Sequence, residues 1–171
     1  MYRKLVVKTN FFCYNFGGDD VLKVVSIKNN KEALKEYFSL CSKEWGNSYL
    51  KDNFSKLVND RVQKVLNGKN DNIILVLGLF DEENFIGFIS LFKSDGVSGY
   101  TPWYATMYVK EEYRGNGYSK ILNDALLEEC KKLGYEKIYL KSELINYYEK
   151  FGAKYIKNLS DTEKLYYMDL K

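Results

Sequence analysis

The chain has 171 residues, 46% of them hydrophobic, and a net charge of +3. That length suits one domain with a sizeable core. Lysines are spread along the whole chain and arginine occurs only at Arg3, Arg61 and Arg114. This gives no concentrated basic face for nucleic acid, while the mild positive balance is compatible with an anionic small ligand.

In chain order, residues 1–20 read as an N-terminal extension. It holds one strand over 4–9 and closes on the turn signal Gly17-Gly18-Asp19-Asp20. Its opening stretch RKLVVKTNFFCYNF is interrupted by Lys8, Asn10 and Asn15, which makes a poor signal-peptide core. Residues 21–171 read as one domain. VLKVVSI (21–27) alternates and is β-branched, so a strand is expected. KEALKEYFSLCSKEW (31–45) sets Leu34, Tyr37, Phe38, Cys41 and Trp45 at helical spacing, with Gly46 as the stop. A second amphipathic helix fits 53–66, stopped by Gly68. IILVLGLF (73–80) and FIGFISLF (85–92) form a hairpin, and a polar loop (93–101) leads to the strand WYATMYV (103–109). After the turn RGNGYSK a helix begins near Tyr118. Its apolar stripe is Tyr118, Ile121, Leu122, Ala125, Leu126, Cys130 and Leu133, and Gly134 is its stop. The strand EKIYLKS (136–142), a short helix LINYYEKF (144–151), and an antiparallel pair over 153–158 and 164–170 complete the chain. This order predicts an α/β (α+β) domain around one predominantly antiparallel sheet.

The residue types limit the chemistry. Histidine is absent, which removes Ser-His and Cys-His nucleophile pairs. Three cysteines, Cys13, Cys41 and Cys130, are odd in number and widely spaced, so neither a disulfide framework nor a zinc site is expected. No apolar run approaches a membrane span. A cytoplasmic protein with reduced thiols, no metal, no nucleic-acid partner and no membrane partner is the expectation.

RGNGYSK carries the chemical signal. It lacks the third glycine of a dinucleotide fingerprint, because Lys120 stands there, and it is not a P-loop. Two readings of the residues remain open. One is a helix that simply starts with a tight glycine turn. The other is a strand–turn–helix anion site, in which unpaired amides and the helix dipole face a phosphate, and Arg114 and Lys120 add charge.

The stretch 107–156 resembles the GCN5-related N-acetyltransferase (GNAT) family. Arg114-Gly115-Asn116-Gly117-Tyr118-Ser119 is similar to the R/Q-x-x-G-x-G/A signature, with Ser119 where the family has glycine or alanine. Val109 to Arg114 matches V-x-x-x-Y-R. Lys131 to Tyr135 matches K-x-x-G-Y. Tyr147-Tyr148-Glu149-Lys150-Phe151-Gly152-Ala153 is similar to F-Y-x-K-x-G-F, with Tyr147 at its first aromatic position and Ala153 in place of its last. The resemblance is dense over 85–158, and its element order extends back to residue 21.

The resemblance implies a mixed, mostly antiparallel sheet splayed between the strands at 103–109 and 137–142, the fourth and fifth of the core, with helices on both faces. It implies transfer of acetyl from acetyl-CoA to a primary amine of a small molecule or peptide, by direct attack in a ternary complex. By the same resemblance, backbone amides from Arg114 through Gly115, Asn116, Gly117, Tyr118, Ser119 and Lys120 hold the pyrophosphate. The strand edge at Met107, Tyr108 and Val109 pairs with the pantetheine arm, and Ser142 contacts it from the far lip of the gap. Tyr148 protonates the leaving sulfur, and Tyr147, one position earlier on the expected helix, packs inward. The base is open. The strand 103–109 has no carboxylate, leaving Glu111, Glu112, Glu44, Asp81, Glu82 and Glu83, with a water chain to a distant carboxylate as the preferred route. Trp45, Tyr49, Trp103 and Tyr104 are candidates for an aromatic rim around the acceptor, and burial in the core is the plainer role for Trp45. A non-catalytic acyl-CoA-binding module of the same fold is the alternative.

Overall fold

The computed structural model describes residues 3–7, 11–15, 21–46 and 52–171. The turn signal at 17–20 and Tyr49 lie outside them. Nine strands form one sheet: β1 (Arg3–Val7), β2 (Phe11–Asn15), β3 (Val21–Ser26), β4 (Ile73–Asp81), β5 (Asn84–Phe92), β6 (Trp103–Val109), β7 (Lys137–Ser142), β8 (Lys154–Asn158) and β9 (Lys164–Asp169). Their spatial order is β1-β2-β3-β4-β5-β6-β7-β9-β8. Each neighbouring pair is antiparallel except β6–β7, which is parallel. The expected mixed, mostly antiparallel sheet is therefore present.

Three helices flank it: α1 (Lys31–Trp45), α2 (Phe54–Leu66) and α3 (Tyr118–Lys132). Asn30 caps α1, its side-chain oxygen accepting from the Ala33 N–H at 3.0 Å. The stripe of α1 and α2, through Leu34, Tyr37, Phe38, Val58, Val62 and Val65, packs on one sheet face with Val76, Phe85 and Phe88. The stripe of α3, through Ile121, Leu122, Ala125, Leu126 and Cys130, packs on the other with Leu75, Leu77, Leu79 and Ile138. The alternation of Val76 with Leu75 and Leu77 sends neighbouring β4 side chains to opposite layers. Helices thus cover both faces, as expected.

Three sequence expectations are corrected. The extension forms two strands rather than one over 4–9, and together they lengthen the sheet beyond β3. FFCYN is apolar at four successive positions, so it gives no alternating signal despite a high strand propensity. Leu133 does not complete the α3 stripe. It is the C-cap and stays exposed, because α3 ends one residue earlier. The helix over 144–151 does not form. Only a single 3-10 turn, Glu149–Phe151, stands there. Asn146 sits at φ 57°, in the left-handed region that no α-helix continues through. Leu144 and Ile145, half or more exposed, find no layer to pack against.

Candidate active site

β6 and β7 share one paired position, Trp103 with Tyr139, where the Tyr139 N–H donates to the Pro102 carbonyl at 2.9 Å. Beyond it, toward Met107 and Val109, the paired register of β6 is with β5 alone. The opposite edge is held close to β5: a Cβ at Gly87 would clash with the Tyr108 carbonyl oxygen, so only glycine fits. The result is the splay expected between these strands. At its mouth lies a cavity of about 360 Å³. Its walls are Met107, Tyr108 and Val109 from β6, Tyr113 to Gly115 and Gly117 to Ser119 from the turn and α3, and Tyr147 and Lys150 from the far side.

The turn is built by backbone conformation. Gly115 and Gly117 stand at φ 85° and 78°, and a Cβ on either would touch nothing within 4 Å. Their need for glycine is conformational, and the space in front of them is open. Gly117 is the N-cap of α3 and makes no side-chain cap bond. The helix start, with its orphan amides and positive dipole end, therefore opens on the cavity without a competing side-chain oxygen.

The two expected cations part company. Arg114 stays at the cavity, its Nε donating to the Val109 carbonyl at 2.9 Å and its guanidinium 5.4 Å from the Tyr108 ring centre. The Glu111 carboxylate, 3.7 Å away, shares its charge. Lys120 points down the helix to Asp124 at 2.6 Å and lines a neighbouring groove with Asn123 and Phe151. The second cation in the cavity wall is Lys150, whose Nζ lies 3.8 Å from the Tyr147 ring centre. Asn116 turns its amide onto the Tyr113 and Arg114 carbonyls at 3.1 and 3.4 Å, shaping the turn from outside the wall. Ser142 also lies outside the wall. Its Oγ accepts from the Leu144 N–H at 3.0 Å and closes the end of β7.

The tyrosine pair is reversed from expectation. Without a helix at 144–151, Tyr147 lines the cavity and Tyr148 stands behind it, edge-on against buried Tyr104 with ring centres 5.7 Å apart. Burial, and next the neighbouring Tyr147, push the Tyr148 hydroxyl up to about 12. Tyr113, Tyr147 and Lys150 are thus wall residues that sequence reasoning passed over. Lys150 is the lysine of the matched F-Y-x-K-x-G-F stretch, which was the available signal.

On the α1 side, Trp103 and Tyr104 are buried core rather than rim. Trp45 reverses its plainer reading: it is 55% exposed and sits edge-on to Tyr108 with ring centres 6.3 Å apart. Glu44 precedes it in α1, and burial, followed by the Glu44 charge, raises the pKa of the Tyr108 phenol. Among the other carboxylates, Glu36 is ion-paired with Lys110, and Glu83 lines a separate depression with Glu32. No cluster of His, Cys, Asp and Glu among the described residues has the makings of a metal site. None of the described helices is long and apolar enough to cross a membrane.

The family model described as the Acetyltransferase (GNAT) family matches residues 31–153, which include both helical layers, the splay and the turn. The chain belongs to the GNAT family. Solved structures share the GNAT fold at low identity. The aminoglycoside 6'-acetyltransferase type Ii is 19% identical, with a TM-score of 0.61 over 86% of this chain and 97% of that one. An N-acetyltransferase from Staphylococcus aureus Mu50 is 16% identical, with a TM-score of 0.61 over 88% and 99%. The PaiA N-acetyltransferase from Thermoplasma acidophilum, solved in complex with coenzyme A, is 18% identical, with a TM-score of 0.54 over 86% and 98%. No curated protein matches the chain in sequence.

Proposed function

We propose that the protein is an acetyl-CoA-dependent N-acetyltransferase acting on a primary amine of a small molecule or peptide, by direct attack in a ternary complex. One observation carries this reading: the splayed edge of β6 and the uncapped start of α3 open into a single cavity. The residues fit the coenzyme. A helix start with a glycine cap, open space before Gly115 and Gly117, and two cations in the wall suit a pyrophosphate. The arm runs along Met107 to Val109 as an added strand does. A cytoplasmic location fits the free thiol of buried Cys130.

Bound acetyl-CoA supplies an activated thioester carbonyl. The chain's own groups do the rest. Backbone N–H of β6 near Met107–Val109 polarises the carbonyl oxygen. Tyr148, held protonated across the neutral range, gives its proton to the departing thiolate, directly or with Tyr147 moving aside. The amine's proton leaves through water to a carboxylate. Glu44, whose charge reaches the Tyr108 phenol, is the candidate from the α1 side. The acceptor enters over Trp45 and Tyr108.

The test is release of CoA thiol from acetyl-CoA on addition of a panel of amines. Amine-dependent release is expected. CoA binding with no thiol release from any amine would favour the non-catalytic acyl-CoA module, a reading supported by the absence of a carboxylate on β6. Absence of CoA binding would end both.

A further inference from the structure

A buried polar pair sits between β5 and β6, next to the mostly apolar layer of α1 and α2. Between Met107 and Tyr104, β6 spends one residue more than β5 does between Ile89 and Leu91, so Ala105–Thr106 forms a bulge opposite Ser90. Ser90 is wholly buried. Its Oγ lies 2.5 Å from the Thr106 Oγ1 and accepts from the Thr106 N–H at 3.3 Å. Tyr37 of α1, also buried, sets its phenol beside Ser90, Thr106 and Cys41. The bonded Ser90 and Thr106 hydroxyls, with the Tyr37 phenol beside them, thus stand where β6 leaves regular pairing with β5.

Burying such groups is unfavourable unless every one is bonded, and an apolar set of the same shape packs as well or better. Their presence therefore calls for a geometric role. The bulge immediately precedes Met107, the first residue of β6 in the cavity wall. A bulge re-aims the strand after it and increases its twist. The same cluster ties the bulge to α1, the helix that ends at Glu44 and Trp45 beside Tyr108.

We propose that Tyr37, Ser90 and Thr106 are positioning residues: their hydroxyl cluster locks the β6 bulge and so aims the Met107–Val109 edge at the pantetheine arm. This rests on the acetyl-CoA reading above. The groups touch no reacting atom. They hold the strand whose backbone does.

The test is CoA binding by calorimetry, with melting temperature measured in parallel, on Thr106→Val, Ser90→Ala and Tyr37→Phe. Thr106→Val keeps the shape and removes the hydroxyl. The expected result is a rise of about tenfold in the CoA Kd for Thr106→Val and Ser90→Ala, because small misplacement of a binding edge is costly. Thr106→Ser, which restores the hydroxyl, returns the Kd to within about twofold of the unaltered protein. Val62→Ala, in the same core layer but away from the bulge, lowers the melting temperature and leaves the Kd unchanged. If Thr106→Val and Ser90→Ala bind CoA as the unaltered protein does, or weaken only as Val62→Ala does, the positioning role is wrong and the cluster is packing alone. Tyr37→Phe, the mildest change, decides the matter if either of the others fails to fold: an unaltered Kd overturns the proposal. Failure of the unaltered protein to bind CoA overturns the acetyl-CoA reading itself, and this inference with it.

Discussion

Two segments close the cavity, and they were specified in different ways. The turn Tyr113–Ser119 has its shape written locally. Two glycines take left-handed φ that other residues resist, and the α3 stripe that follows has a waiting sheet face. The segment 144–151 also reads as a short helix, yet it forms one 3-10 turn, because Leu144 and Ile145 have no layer to meet and Asn146 tolerates the left-handed region. A pattern becomes a helix where packing receives it. The difference matters because the first segment offers backbone amides, while the second decides which tyrosine faces the cavity.

The sharpest break of this comparison is between the tyrosines. Tyr148→Phe should lower kcat by about a hundredfold with little change in the KM for acetyl-CoA, as loss of a general acid does. Tyr147→Phe should cost much less. The reverse order in steady-state kinetics would assign the proton to the residue that already lines the wall.

Gly117→Val tests the other segment. A β-branched residue in the left-handed region costs about 2 kcal/mol, and relief of that strain moves the helix start. The CoA Kd should rise about thirtyfold. A drop in melting temperature with normal CoA affinity would reduce the turn to a structural device.

Alkaline titration probes the buried phenol. The folded-state pKa of Tyr148 is raised from 10.0 to about 12. The folded protein therefore holds a proton that the unfolded chain has lost, and stability is full below pH 10 and falls as pH rises toward 12. Tyr148→Phe should flatten that decline in urea-unfolding curves. An unchanged slope would mean that the ring is not as enclosed as its packing on Tyr104 indicates.

Lys150→Ala should raise the KM for acetyl-CoA about threefold at low salt, an effect that disappears at high salt as for any exposed ion contact. Salt-independent loss would point to the stacked Tyr147 ring instead. The smallest change is expected of Asn146→Ala. It removes a residue that tolerates φ 57° and costs about 1 kcal/mol in chemical unfolding. Greater helicity by circular dichroism, without that cost, would show that 144–151 prefers the helix its sequence suggests.

Much of the fold was legible because periodicity and breakers agreed. α1 matches its predicted span, α3 begins where the glycine turn ends, and β6 runs over 103–109 as read. The cavity wall was legible at Met107 to Val109, Arg114 and the glycines, where short spacing carries the information. It was not legible at Tyr113, Tyr147 and Lys150. Sixteen tyrosines and scattered lysines give no local contrast, and only the missing helix turns two of these side chains inward.

By itself the sequence determined the mixed α/β layout, the glycine turn at Gly115 and Gly117, and membership of the GNAT family, since each rests on residue types at short spacing. Tertiary structure alone decided how far β6 and β7 part, where Lys120 and Lys150 point, which tyrosine faces the cavity, and that Ser90 and Thr106 meet under Tyr37. Those outcomes depend on which distant layers receive each side chain, and a one-dimensional pattern carries no distance between layers.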